Sequence, residues 1–209
     1  MKINKIIKVL IGSDIFLNTG WGFLGPVFAV FILRNIQGGD VKIIGYSAMI
    51  YWFSKSLLQL PIARYLDKYG GENDDFYFLL LGMFLTGFVP LGYLISSQPF
   101  HIYLFQVLHA LGMAMVIPPW NAIFTRHLDK NNIAFEWTLD STALGISIGI
   151  AGGIGGVLVA KVGFKSVFLL ASIFTFLAGI LLISIRKDLL PSKEKFFPPF
   201  KRFLRFWRQ

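Results

Sequence analysis

The sequence predicts an all-α membrane protein of six transmembrane helices, followed by an amphipathic helix lying at the bilayer surface. Apolar stretches of about 19–25 residues recur along the chain, the length that crosses ~30 Å of hydrocarbon at 1.5 Å per residue. Charged residues make up only 15% of the chain, against 55% hydrophobic, where a soluble domain carries roughly 25% charged. The charges that remain gather in short clusters between the apolar stretches. Continuous rather than alternating apolar runs select helices over a closed barrel, the other structure that satisfies its backbone groups in lipid.

The first span, 9–33, follows the basic start MKINKIIK. It is longer than a signal-peptide core and has no small-residue cleavage site after it, so it reads as a retained helix. Asp14 and Asn18 lie four residues apart on it and share a face. The second span, 43–63, carries Lys55 roughly 15 Å from the basic end of its helix, with Gln59 one turn away on the same face. The third span is 76–95. The fourth, 102–124, carries Gln106 and His109, while His101 and His127 fall near its ends and read as interfacial. The fifth, 139–160, holds Gly145, Gly149, Gly152, Gly153 and Gly156, small residues that let another helix approach closely. Glu136 and Asp140 at its start read as carboxylates suited to a helix N-terminus. The sixth span is 167–185. The connectors RNIQGGDVK, LDKYGGENDD, SSQPF, TRHLDKNN and KVGFK carry the turn and charge signals and leave no room for a soluble domain. Residues 1–190 thus form one transmembrane domain and 191–209 a basic tail.

Orientation follows from lysine and arginine. Lys2, Lys5, Lys8, Arg64, Lys68, Arg126, Lys130 and the basic tail fall on one side, against Arg34, Lys42, Lys161 and Lys165 on the other. Both termini are therefore expected in the cytoplasm, with the chain in the cell (inner) membrane. In the tail, Phe200, Phe203, Leu204 and Trp207 recur at helical spacing while Lys201, Arg202, Arg205 and Arg208 take the other face. That pattern suits a helix with its apolar side in the acyl boundary and its cations at anionic headgroups.

A net charge of +9 does not imply nucleic acid, because the cations flank apolar spans and lack the interleaved polar surface of a soluble binder. With no cysteine in the chain there is no disulfide, thiolate metal site or thiol nucleophile, and no cofactor is expected. GISIG at 145–149 fits a nucleophile-elbow pattern, but the strand-to-helix context is missing and no histidine follows Ser147 to act as base. An enzyme is not expected.

A charge in hydrocarbon is costly and faces a cavity or a partner. Lys55 is the clearest case: it reads either as an anion-attracting cavity residue or as one half of a buried pair with Asp14 that holds two helices in register. Asn18, Lys55, Gln59, Gln106 and His109 are the candidate cavity residues. A weak internal repeat matches Gly20, Gly22 and Pro26 of the first span to Gly112, Ala114 and Pro118 of the fourth, the pattern that inverted repeats with broken helices leave.

The loop ARYLDKYG, 63–70, resembles the signature loop of the major facilitator superfamily. Asp67, Lys68 and Gly70 match, and Ala63 replaces the first glycine. GWGFLGPVFAVFI is similar to a first family helix. The fourth span is similar to the family's arginine-bearing helix, with Gln106 at the arginine position and His109 where glutamine is common. SIGIAGGIGG, 147–156, resembles the glycine-rich antiporter motif with Gly152 in place of its proline, and VGFKSVFLL the entry to a sixth helix. The resemblance implies the N-terminal six-helix half of the fold, built as a three-plus-three inverted repeat, with Asp67, Lys68 and Gly70 forming a gating loop. It also implies secondary transport of a small solute in the lipid bilayer. Since no ATP-binding loop appears, any driving energy would come from an ion gradient. One six-helix bundle cannot offer alternating access, so a homodimer or a second six-helix chain is expected. The alternatives are a membrane scaffold or regulator that does not transport, and a truncated half of a twelve-helix transporter.

Overall fold

The computed structural model describes residues 3–69 and 71–190, and its described elements are all helices. These are α1 (Lys5–Asn35), α2 (Val41–Tyr69), α3 (Glu72–Leu94), α4 (Pro99–His127), α5 (Ile133–Val162), α6 (Phe164–Ile183) and the short α7 (Arg186–Leu189). Local chemistry sets several of the ends. The Asn4 side chain accepts the N–H of Ile6 at 3.0 Å and starts α1, and Pro99 opens α4, where its missing N–H is no loss. Gly163 separates α5 from α6 at φ +94°, a left-handed conformation that residues with a Cβ rarely adopt.

Five helices, α1, α3, α4, α5 and α6, are long and apolar enough to cross a membrane. The expected sixth crossing, α2, has the length at 29 residues but not the composition: Lys55, Gln59 and the serines around them make it too polar to qualify on that ground. Each helix also starts earlier than its predicted span, because hydrogen-bonded turns continue through the polar ends that an apolar run excludes. For α5 this changes a reading. The helix begins at Ile133, so Asp140 is two turns inside it and not at its N-terminus.

Packing is selective. α1 lies against α5 and α6, α4 against α2 and α3, and α3 against α6. One apolar cluster, including Leu10, Phe76, Trp120 and Leu182, closes one end of the bundle; a second, including Phe31, Tyr93, Ile102 and Phe168, closes the other. Interhelical hydrogen bonds pin α6 in the middle: Ser13 donates to the Ala178 carbonyl (3.1 Å) and Ser172 to the Gly87 carbonyl (2.8 Å). α2 and α5 are the least covered helices, and α5 buries only Glu136, Asp140, Ala151 and Gly155. Gly70 and the predicted surface helix of the tail lie outside the described residues.

Candidate functional site

One face of α1 organises the interior. Asp14, Asn18, Trp21 and Gly25 recur at offsets of four, three and four, one stripe of a helix, and this stripe walls three cavities in succession. The first, of about 230 Å³, lies where α1, α2 and α4 meet and also takes in Tyr93 of α3. The second, about 520 Å³, lies between α1 and α5. The third, about 220 Å³, is bounded by α1, α4 and α5. Trp21 and Gly25 belong to the first two, and Asn18 to the second and third.

The first cavity is aromatic. The His109 ring stacks between Trp21, 3.7 Å away and nearly parallel, and Tyr51 at 4.5 Å. Phe28 and Tyr93 meet at 4.9 Å on the same wall, and Gln106 and Trp52 also line the cavity, with Leu24, Gly25 and Ala48. Inside this box two donors have no partner: the Tyr93 hydroxyl and the Trp21 indole N–H are both buried and unbonded. A polar group buried without a hydrogen bond costs about 1–3 kcal/mol. Ser147, the residue of the elbow pattern, donates its hydroxyl to the Leu144 carbonyl (2.9 Å) on its own helix.

Lys55 is half-buried, and its ammonium stands 3.9 Å from the centre of the Trp52 ring and 5.5 Å from that of Tyr51, a cation–π arrangement. It does not pair with Asp14. That expectation is corrected: α2 packs chiefly on α4, which brings Lys55 to its own helix's aromatics, while Asp14 accepts from the Asn18 amide at 3.0 Å. The predicted residues therefore divide. Gln106 and His109 line the aromatic cavity, Lys55 stands behind its α2 wall, Asn18 lines the other two cavities, and half-buried Gln59 lines none of the three. The residues that sequence reasoning missed are Trp21, Tyr51, Trp52 and Tyr93. For two of them a signal existed, because Tyr51 and Trp52 precede Lys55 by four and three residues, the offsets at which helical side chains meet.

The start of α3 is tied to α4 through its acids. Asp67 and Lys68 are exposed. The acids of early α3 make the described contacts: Arg126 on α4 bonds Asp75 and approaches Glu72 (3.7 Å), His127 meets Glu72 at 2.6 Å, and the Tyr65 hydroxyl reaches Asp74 at 3.3 Å. In the α4–α5 turn the backbone N–H of Asn131 and the Asn132 amide both donate to Asp129, which holds that carboxyl below the usual carboxylate range.

The glycine prediction on α5 also needs correction. A Cβ at Gly145, Gly149, Gly153 or Gly156 would meet open space, and one at Gly152 would find only ordinary contacts at 3.8 Å. The close approach is made instead by Gly155, against the Phe23 backbone, and by Gly22, where a Cβ would stand 2.9 Å from that of Ala151. Gly149, Gly152 and Gly153 line the cavity between α1 and α5, and among the described residues nothing stands against Gly145 or Gly156.

Comparison with known proteins agrees with this architecture. The family model described as Major Facilitator Superfamily matches residues 11–209. An uncharacterized MFS-type transporter of Methanocaldococcus jannaschii is 22% identical over 194 residues, 93% of this chain and 49% of that protein. The in meso crystal structure of the POT family transporter PepTSo superposes with a TM-score of 0.64 at 14% identity, covering 94% of this chain and 40% of that one. The chain spans about half the length of the curated relative it matches.

Proposed function

The chain belongs to the Major Facilitator Superfamily, and on that premise we propose that it moves a small solute by secondary transport through the aromatic cavity of α1, α2 and α4. At the coarser level this is a multi-pass membrane protein of a transporter family, not an enzyme, whose described elements are all helices; its partners in this reading are the lipid bilayer and a small molecule. The observation that carries the finer reading is the pair of unbonded donors, Tyr93 and Trp21, inside a ring-lined space with an intramembrane lysine behind its wall. Gln106 and His109 orient the solute, and Lys55 biases the site toward anionic or electron-rich groups. Asp67 and Lys68 take the gating role at the end of α2.

Two further features support a three-plus-three repeat with α2 as a sixth crossing. α1 packs on α6 while α4 packs on α3, an exchange of third helices between triplets. The matched glycines follow suit, Gly20 lying against Ala171 of α6 and Gly112 against Thr86 of α3. The uncovered faces of α2 and α5 favour a second six-helix unit, another copy or a separate partner, closing the cavity and rocking against this one. Both termini are placed in the cytoplasm on the lysine and arginine asymmetry.

Flux in proteoliposomes tests the reading. For a solute that wild type moves, Lys55→Ala lowers flux roughly tenfold, the loss of about 1.4 kcal/mol, and Lys55→Arg retains part of it. A transported solute carried equally well by the alanine variant removes Lys55 from the site; an empty solute panel removes the transport reading itself.

A further inference from the structure

Six residues of the aromatic cavity's lining carry rings: Trp21, Phe28, Tyr51, Trp52, Tyr93 and His109. Among the described residues that line it there is no aspartate or glutamate. The two buried groups without a partner, the Trp21 indole N–H and the Tyr93 hydroxyl, can both donate, and the indole can do nothing else. The charge beside these walls is positive. Lys55 has two ring faces as neighbours, at 3.9 and 5.5 Å, and no salt bridge of it occurs among the described residues. An intramembrane cation is normally matched by an opposite charge, and none of the described residues supplies one here.

These features sort the solutes that could occupy the space. An ammonium compound would be drawn to the ring faces, but it would leave both donors unsatisfied and meet Lys55 at like charge. A sugar brings hydroxyl donors to walls made mainly of ring faces and further donors, where they go unpaired. A dianion carries one charge more than Lys55 can match. A monocarboxylate on a flat ring meets every condition: two acceptor oxygens, one negative charge and a body that stacks. His109 shows the stacking, for its ring lies 3.7 Å from that of Trp21 and within 5° of parallel, one of the geometries that aromatic pairs prefer. At about 230 Å³ the space is smaller than the ~300–1,000 Å³ of sites for drug-sized molecules, which limits the solute to a single ring.

We infer that the solute of this cavity is a small planar monocarboxylate, an aromatic ring whose carboxylate accepts from Tyr93 and Trp21 and whose charge is balanced by Lys55. The inference rests on the transport reading in taking the aromatic cavity as the solute site, and adds to it the chemical class of the solute.

Equilibrium dialysis of the full chain, purified in detergent, against radiolabelled benzoate measures binding without flux. Competition by unlabelled cyclohexanecarboxylate, benzylamine and acetate then separates the contributions of flatness, charge and ring. Benzoate is expected to bind saturably. Cyclohexanecarboxylate should compete about fivefold more weakly, having lost the flat face, and benzylamine and acetate should not compete. Tyr93→Phe and Trp21→Phe each keep a ring and remove one donor, so each should weaken benzoate binding about tenfold while helix content by circular dichroism stays at the wild-type level. If Trp21→Phe loses helix content, Tyr93→Phe decides. No saturable benzoate binding, competition equal to benzoate by any of the other compounds, or donor variants that bind benzoate as wild type does, overturns the assignment. Those results leave the transport reading to stand on flux of another solute class. Saturable benzoate binding with the expected losses, but without flux in proteoliposomes, would keep the ligand class and remove transport.

Discussion

Tyr93 shows how a residue can be placed for a ligand at the expense of the empty protein. Its ring is fully buried among Phe28, Phe105 and Phe168, and its hydroxyl has no partner. Tyr93→Phe is expected to leave the melting temperature unchanged or slightly raised, since it deletes an unsatisfied group from a buried site, while solute affinity falls. A marked loss of stability would mean that the hydroxyl is already satisfied in the empty protein and is not waiting for a solute. Arg126 is the opposite case. Its partner Asp75 has a side chain only 2% exposed, so Arg126→Ala strands a buried carboxylate at a cost of about 2–3 kcal/mol. Chemical denaturation should register this, and Asp75→Asn in the same chain should recover most of it. The Arg126 reading was not available from the sequence, where nothing local pairs the acids after Gly71; only the fold brings them under α4.

Among the helices, α5 carries two kinds of glycine that spacing cannot distinguish. Gly155 allows the α1 backbone to approach, and Gly155→Ala should cost about 1–3 kcal/mol through overpacking and lower the melting temperature in detergent. Gly149→Ala should leave it unchanged, because nothing stands within 4 Å of the new Cβ. Equal effects at both positions would contradict the α1–α5 crossing described here. The α4–α5 turn gives a pH-dependent counterpart. Asp129 is held below the normal carboxylate range by its two donors, so its contribution is present above about pH 4 and lost as pH falls through its lowered folded value. The protection factor of the Asn131 amide, its exchange corrected for the intrinsic pH dependence, should fall in acid, and Asp129→Asn should abolish that acid dependence.

For the molecule as a whole, the absence of cysteine makes single-cysteine work direct. Gly153→Cys places a thiol at an exposed glycine on the rim of the α1–α5 cavity, and oxidation in native membranes is expected to yield a disulfide-linked dimer if two copies face each other there. Monomers alone at Gly153→Cys and at further α2 and α5 positions would reject the homodimer and leave a separately encoded partner. Topology is checked in the same background: Lys42→Cys should react with an impermeant reagent from outside the cell, and Lys130→Cys only after permeabilisation. Labelling of both from one side would remove α2 as a crossing.

The sequence by itself determined the helical class, the membrane solvent and the resemblance to the family, because these depend on run length, composition and the order of short motifs. It also singled out Gln106 and His109, since a polar group in an apolar span needs a reason. Tertiary structure alone decided who meets whom. Helical phase says which residues share a face, but not which helix that face will meet. α4 rather than α1 covers α2, so Lys55 turns to Trp52 and Asp14 is left to Asn18. The early start of α5 carries Asp140 away from a helix end and into a cavity with another carboxylate, a pairing set by the α1–α5 crossing at Gly22 and Gly155 and by nothing local.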